Sequence, residues 1–229
     1  MKKYFLIILL FKCVNVFSSD SFKKGDVLNV WNISGIPLLH EPGKNDKLLT
    51  IAYGASVTII DVAVTTKSFT VPFVNQVTKH PYPLKGNWIK VSYGNKQGYV
   101  FSGYLSAMPC FLQDRSRYSD SMDKGRVYFF EDDDTYLKRL YGKPKITIKK
   151  SIVRKQPLIV TTHTYKNGIT EIVSEYDGCP DVSLYMNNLS FQEVLLFEEV
   201  WLFMEDAAQE VKAKQLNGGK IKLSYYSCD

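Results

Sequence analysis

The chain has 229 residues, of which 45% are hydrophobic, 23% charged and 14% aromatic, with a formal net charge of +6. This balance excludes a disordered or fibrous chain, and the 15 Tyr and 13 Phe point to strand-rich structure, because flat, stiff rings pack well on a pleated surface. At about 100 to 200 residues per domain, the length fits two small domains with two small cores.

The first residues read as a leader. Lys2 and Lys3 precede the apolar run Tyr4 to Phe11, and Val16 and Ser18 supply small residues before a cleavage point. These are the marks of a secretory signal peptide over residues 1–18, which places the mature chain in the periplasm or outside the cell. The apolar run is far shorter than the ~20 residues a bilayer crossing needs, so no membrane anchor is expected. Cleavage removes Lys2, Lys3 and Lys12 and no acid, so the +6 falls to +3. That small excess speaks against nucleic-acid binding. The one dense basic stretch, Lys143 to Lys155, reads as a solvated edge strand whose lysines block edge-to-edge aggregation. Of four cysteines, Cys13 leaves with the leader. In an oxidising compartment the remaining three predict one disulfide, Cys179 with Cys228, and one leftover thiol, Cys110.

From Gly25 onward short strands alternate with turn signals. Asp26 to Trp31, Ile36 to Leu39, Leu48 to Tyr53 and Ser56 to Val64 read as strands, with a Glu-Pro-Gly-Lys-Asn-Asp turn over residues 41–46. A segment marked by Pro72, Pro81 and Pro83 follows. Next come Asn87 to Tyr93 and Gln97 to Phe101, joined by Gly94-Asn95-Lys96. This many short strands in so few residues suggest a small barrel, which removes sheet edges.

Four runs carry a family resemblance: residues 36–43 (IPLLHEPG), 49–57 (LTIAYGASV), 88–91 (WIKV) and 98–106 (GYVFSGYLS). Over roughly residues 23–106 the chain resembles the bacterial SH3-like domain family, in a form similar to Bacteroidetes envelope proteins. The closing GYVFSGYLS after a W-x-K-V strand is the specific part. The resemblance implies a small β-barrel that binds cell-wall peptide or an envelope protein. Two departures stand out. Leu39, His40 and Glu41 precede Pro42 where many relatives carry an arginine, and the long segment from Thr65 to Lys85 implies either an extended loop over the barrel or an extra hairpin built on Phe69 to Val77.

Residues 107–124 read as a linker, and 125–229 as an α+β domain. Glu131 to Asp134 precede Thr135 to Tyr141, a short helix ending at Gly142. Ile146 to Ile148 is a strand. Leu158 to Tyr165 and Ile169 to Tyr176 flank Lys166-Asn167-Gly168, a strong hairpin signal, and Val182 to Leu189 is a further strand. Ser190 and Glu193 form a capping box that opens a long helix, expected to run past Val211 to Asn217-Gly218-Gly219. Lys220 to Ser227 closes as a strand. The fold class expected is thus mainly β plus α+β: a barrel, then an antiparallel sheet with one long helix across one face.

For chemistry, His40, His80 and His163 are the available imidazoles, and none has metal-ligand spacing, so no metal or cofactor is expected. Cys179 lies after His163, the reverse of a nucleophile-first cysteine peptidase, and no catalytic residue is assigned. The acidic run Glu131 to Asp134 lacks a spaced calcium loop. What remains is recognition by aromatic faces, carried by Tyr53, Trp88, Tyr99 and Tyr104. The alternative is that the barrel only stabilises, and that the C-terminal α+β domain mediates protein–protein contact through an edge strand.

Overall fold

The computed structural model describes residues 22–62, 68–74, 81–113, 130–176, 178–202 and 208–227. The expected signal peptide, His80, Cys228 and residues 114–124 of the expected linker fall outside them. None of the described helices is long and apolar enough to cross a membrane.

The N-terminal half forms β1 (Val27–Val30), β2 (Ile36–Leu39), β3 (Lys47–Ile51), β4 (Ser56–Asp61), β5 (Phe69–Val74), β6 (Pro81–Gly86), β7 (Trp88–Tyr93), β8 (Lys96–Phe101) and β9 (Leu105–Ser106). Alternation sets their faces: in β4, buried Val57 and Ile59 alternate with exposed Ser56 and Thr58. Seven of these strands pair as β3-β2-β8-β7-β4-β1-β9. Their inner face holds a core of aliphatic side chains including Leu28, Leu38, Ile51, Val91 and Val100. The sheet runs open from β3 to β9, so the expected closed barrel is not formed. Where β2 crosses β8, a side chain on Gly98 would meet the Leu39 carbonyl oxygen at 2.5 Å, so the close approach requires glycine. The Pro-marked segment forms the extra hairpin, β5 with β6, in unbroken antiparallel register from Phe69–Gly86 to Val74–Pro81.

The C-terminal half forms α1 (Asp133–Tyr141), β10 (Lys145–Val153), β11 (Gln156–Thr164), β12 (Thr170–Tyr176), β13 (Cys179–Met186), α2 (Phe191–Trp201), β14 (Ala208–Gln215) and β15 (Ile221–Ser227). Asp132 caps α1 by accepting from the Thr135 amide, and Gly142 ends it. Ser190 and Glu193 make the full capping box that opens α2. The six strands pair antiparallel in the order β10-β11-β12-β13-β15-β14. The long helix is shorter than expected: α2 ends at Trp201, and Ala208–Gln215, with Val211, is a strand. Val211 and Ala213 alternate with exposed Glu210, Lys212 and Lys214, a period of two that suits β14 against β15. Asn217-Gly218-Gly219 turns that hairpin, with both glycines at positive φ, instead of stopping a helix.

A second aromatic core crosses the anticipated domain boundary. It joins Trp31 and Tyr53 of the first half to Phe111, Tyr136, Phe197 and Trp201. Met108, Cys110 and Phe111, expected in a linker, are buried within it. Every residue of α2 from Val194 to Trp201 is buried, because the helix lies between the six-stranded sheet and the β5–β6 hairpin.

Candidate functional site

The four aromatic residues expected to bind ligand do not converge. Tyr53 is 8% exposed, edge-on to Trp31 and Phe130, and its hydroxyl accepts from the Phe111 amide at 3.1 Å. Burial holds its phenol well above the usual range. Trp88 stacks on Phe69 at 5.5 Å and meets the edge of Phe101, which in turn packs against half-buried Tyr104. Phe73 closes this row from the hairpin side at 6.3 Å from Tyr104. The inserted hairpin therefore sits over the aromatic surface that the sequence offers for recognition. Tyr99 shares a sheet face with Trp88 by strand alternation and pairs with Lys90, partly exposed.

The hairpin is also pinned to α2. The Lys85 amide donates to Gln192 Oε1 at 2.7 Å, and the Tyr82 hydroxyl donates to Glu198 Oε1 at 3.4 Å. Burial pushes the Glu198 carboxyl up to about 7. Gln192 Nε2 donates to the Gly103 carbonyl, and the Ser106 hydroxyl to Glu193 Oε1, so the start of α2 is tied to β9 and the turn before it.

A cleft of about 530 Å³ opens where the halves meet, lined by Tyr53, Gly54, Cys110, Phe111 and Arg139 among others. Cys110 is a free but buried thiol. Burial pushes its pKa up to about 12, so it stays protonated and a poor nucleophile. Arg139 pairs with Glu131, donates to the Cys110 carbonyl at 3.0 Å and lies over the Tyr136 ring. This chemistry fixes a joint.

Sequence reasoning did not place His163 in a network. Its Nδ1 lies 2.7 Å from Glu171 Oε2, on the neighbouring strand. Burial, and then the charge of Asp133, push the Glu171 carboxyl up to about 7. The Trp201 indole donates to Asp133 Oδ2 at 2.9 Å, and the Tyr165 hydroxyl to Asp134 Oδ1 at 3.4 Å. Asp133 and Asp134 thus anchor the first turn of α1 to the end of α2 and to the β11–β12 turn. Among the described residues, His40, Glu41 and Asp46 are the one group close enough to share a cation. Asp46 is already used to close the β2–β3 turn, through its carbonyl to the His40 amide and its carboxylate to the Glu41 amide. Cys179 opens β13; its expected partner Cys228 lies outside the described residues.

The open surface is elsewhere, on the rim of the large sheet. All nine residues of β10 are exposed. Ile146, Ile148 and Ile152 are 56%, 57% and 79% exposed and project from one face. Beside them lies a depression of about 620 Å³ lined by Gln156, Pro157, Ile159, Glu175, Gly178 and Pro180. Ile159, Glu175 and Pro180 stand in one cross-strand row on that same face. It continues inward to the buried Leu184 and Leu223, so the rim is core-type surface that the helices leave uncovered.

No protein-family model matches this chain, no curated protein is detectably similar to it, and no solved structure matches its fold.

Proposed function

We propose that this is a secreted, non-catalytic binding protein whose six-stranded sheet recognises a protein of the cell envelope at the β10–β11 rim. In this reading the N-terminal half is an SH3-like unit that serves as a buttress. Its support is that the WIKV and GYVFSGYLS runs fall largely on β7, β8 and β9, strands that contribute Ile89, Val91, Val100 and Leu105 to the first core. The observation that carries the functional part is the exposed row Ile146, Ile148 and Ile152. Large apolar side chains grouped on a sheet rim mark interaction surface, whereas isolated ones need no explanation. By contrast, Tyr53 is core, and the inserted hairpin covers Trp88 and Tyr104. The Cys179–Cys228 disulfide belongs to the same proposal. The β13–β15 register, with Asp181 opposite Tyr226, runs toward Cys179 and the chain end.

The test is site-specific photocrosslinking in cells, with benzoylphenylalanine in place of Ile148 or of Tyr99. Protein adducts from position 148 are expected. Adducts from position 99 alone, or retention on purified peptidoglycan sacculi that survives loss of the three isoleucines, would move recognition to the N-terminal sheet.

A further inference from the structure

We propose that the outer edge of β10 accepts an extended acidic segment of another protein as an added strand. This rests on the reading of the rim as the recognition surface and names the chemistry of what it recognises. The backbone argument comes first. β10 pairs with β11 over nine consecutive positions without a bulge, from Lys145–Thr164 to Val153–Gln156, and its other side meets no described strand. In a two-residue hairpin the pair that closes the turn is hydrogen-bonded on both sides, and antiparallel pairs alternate from there. The amide and carbonyl groups of Ile152, Lys150, Ile148 and Ile146 therefore point outward, a row of unmet donors and acceptors. The opposite rim of the sheet is built differently. There β14 is broken by a register shift between Gln209 and Lys212, with Glu210 at φ 50°, a device that blunts an edge.

Charge selects the occupant. Lys143, Lys145, Lys149, Lys150, Arg154 and Lys155 fall within thirteen residues that contain no acid, and β11 contains none either. Among the described residues none of the six is in an ion pair. A second copy of this chain pairing edge to edge would set these cations against one another, which destabilises a strand pair. A single-stranded nucleic acid would meet the charge but find no Phe, Tyr or Trp in β10 or β11 to stack on. A strand alternating acidic and apolar residues satisfies all three features: backbone ladder, cations, and the isoleucine face with its adjoining depression.

Two residues in the turn support this. Arg154 and Lys155 sit at φ 48° and 69°, a left-handed pair for which Asn-Gly is the relaxed choice. The chain carries strain there and keeps two cations at the tip.

The probe is a fluorescent nine-residue peptide alternating Val and Glu, matched to the length of β10, titrated against the full mature chain by anisotropy. Saturable binding is expected, weaker by at least about tenfold for the same peptide with Lys in place of Glu and for one methylated at every backbone nitrogen. On the protein side, Lys150→Pro should cost more than Lys150→Gln, because only the former removes an outward amide; melting curves check that both fold. The methylated peptide keeps the test decisive if Lys150→Pro misfolds. Equal binding of the methylated peptide, equal or better binding of the Lys peptide, or full displacement by a short single-stranded oligonucleotide would overturn the proposal. Adducts from position 148 alongside a silent peptide titration would overturn the acidic strand and leave the protein-binding role standing.

Discussion

Glu198 lies at the centre of the buried helix, fully removed from solvent, with the Tyr82 hydroxyl as a donor. Its carboxyl, ordinarily near 4.5, is raised to about 7 by burial, so the folded state holds a proton that the unfolded chain releases. A folded pKa above the unfolded one contributes stability that is complete below about 4.5 and is lost as pH climbs through about 7. The shift corresponds to roughly 3 kcal/mol at most. Glu171 is raised the same way, so the chain as a whole should melt lower at pH 8 than at pH 5. Glu198→Gln, which keeps an acceptor for Tyr82, is expected to flatten that dependence by about one proton and to raise Tm at pH 8. Melting curves across pH 4.5–8.5 that are parallel for the two proteins would show that Glu198 does not titrate in the fold. None of this was visible in the sequence, where nothing sets Glu198 apart from an ordinary helix glutamate. A glutamate is exposed by default, and only the hairpin bound to the far side of α2 inverts that default here.

At the scale of elements, local rules located most strands and both helix starts. Short apolar-rich runs between turn signals located β1, β2, β4 and β7, Asn167-Gly168 the β11–β12 turn, and Ser190 with Glu193 the start of α2. The rules failed where one signal has two meanings. Asn217-Gly218-Gly219 ends a helix or turns a hairpin equally well, and the apolar run through Leu202 hid the change of period that begins β14. The basic stretch was legible as an edge strand; what its isoleucines face was not, because exposure depends on where α1 and α2 stop covering the sheet. The β10–β11 turn yields a separate prediction. Two left-handed non-glycine residues cost roughly 1 kcal/mol each. Arg154→Asn with Lys155→Gly should therefore stabilise the fold by about 1 kcal/mol and raise Tm by about 2 to 4 °C. The same change should weaken the Val–Glu peptide. A variant that gains stability and loses binding separates a recognition role from a merely structural turn; loss of both would mean that the cations hold the hairpin itself.

For the whole molecule, the question is whether the two halves are two folding units. The first core, under the seven-stranded sheet, is aliphatic and self-contained. The second belongs to neither half: the Trp31 indole donates to the Met108 carbonyl at 2.9 Å, and its ring meets Tyr53, Phe111 and Phe197. Sequence patterns report which residues want burial, not which other element will bury them, and for that reason a linker was expected where Cys110 and Phe111 pack. The β5–β6 hairpin completes the joint, with Phe69 and Phe73 on the first half's rings and Lys85 and Tyr82 on α2. Cutting the chain after Ser106 would strip Trp31 and Tyr53 of Phe111 and Phe197, and would leave the hairpin without its helix. The full chain should therefore unfold in one calorimetric transition, with calorimetric and van't Hoff enthalpies equal. Trp31→Ala, costing about 3 to 5 kcal/mol, should lower the stability of both halves together. Two resolved transitions, or a Trp31→Ala effect confined to the first, would restore two independent domains. A single transition gives the buttress its physical meaning: the N-terminal sheet holds α2 in place, and α2 holds the six-stranded sheet whose rim stays open.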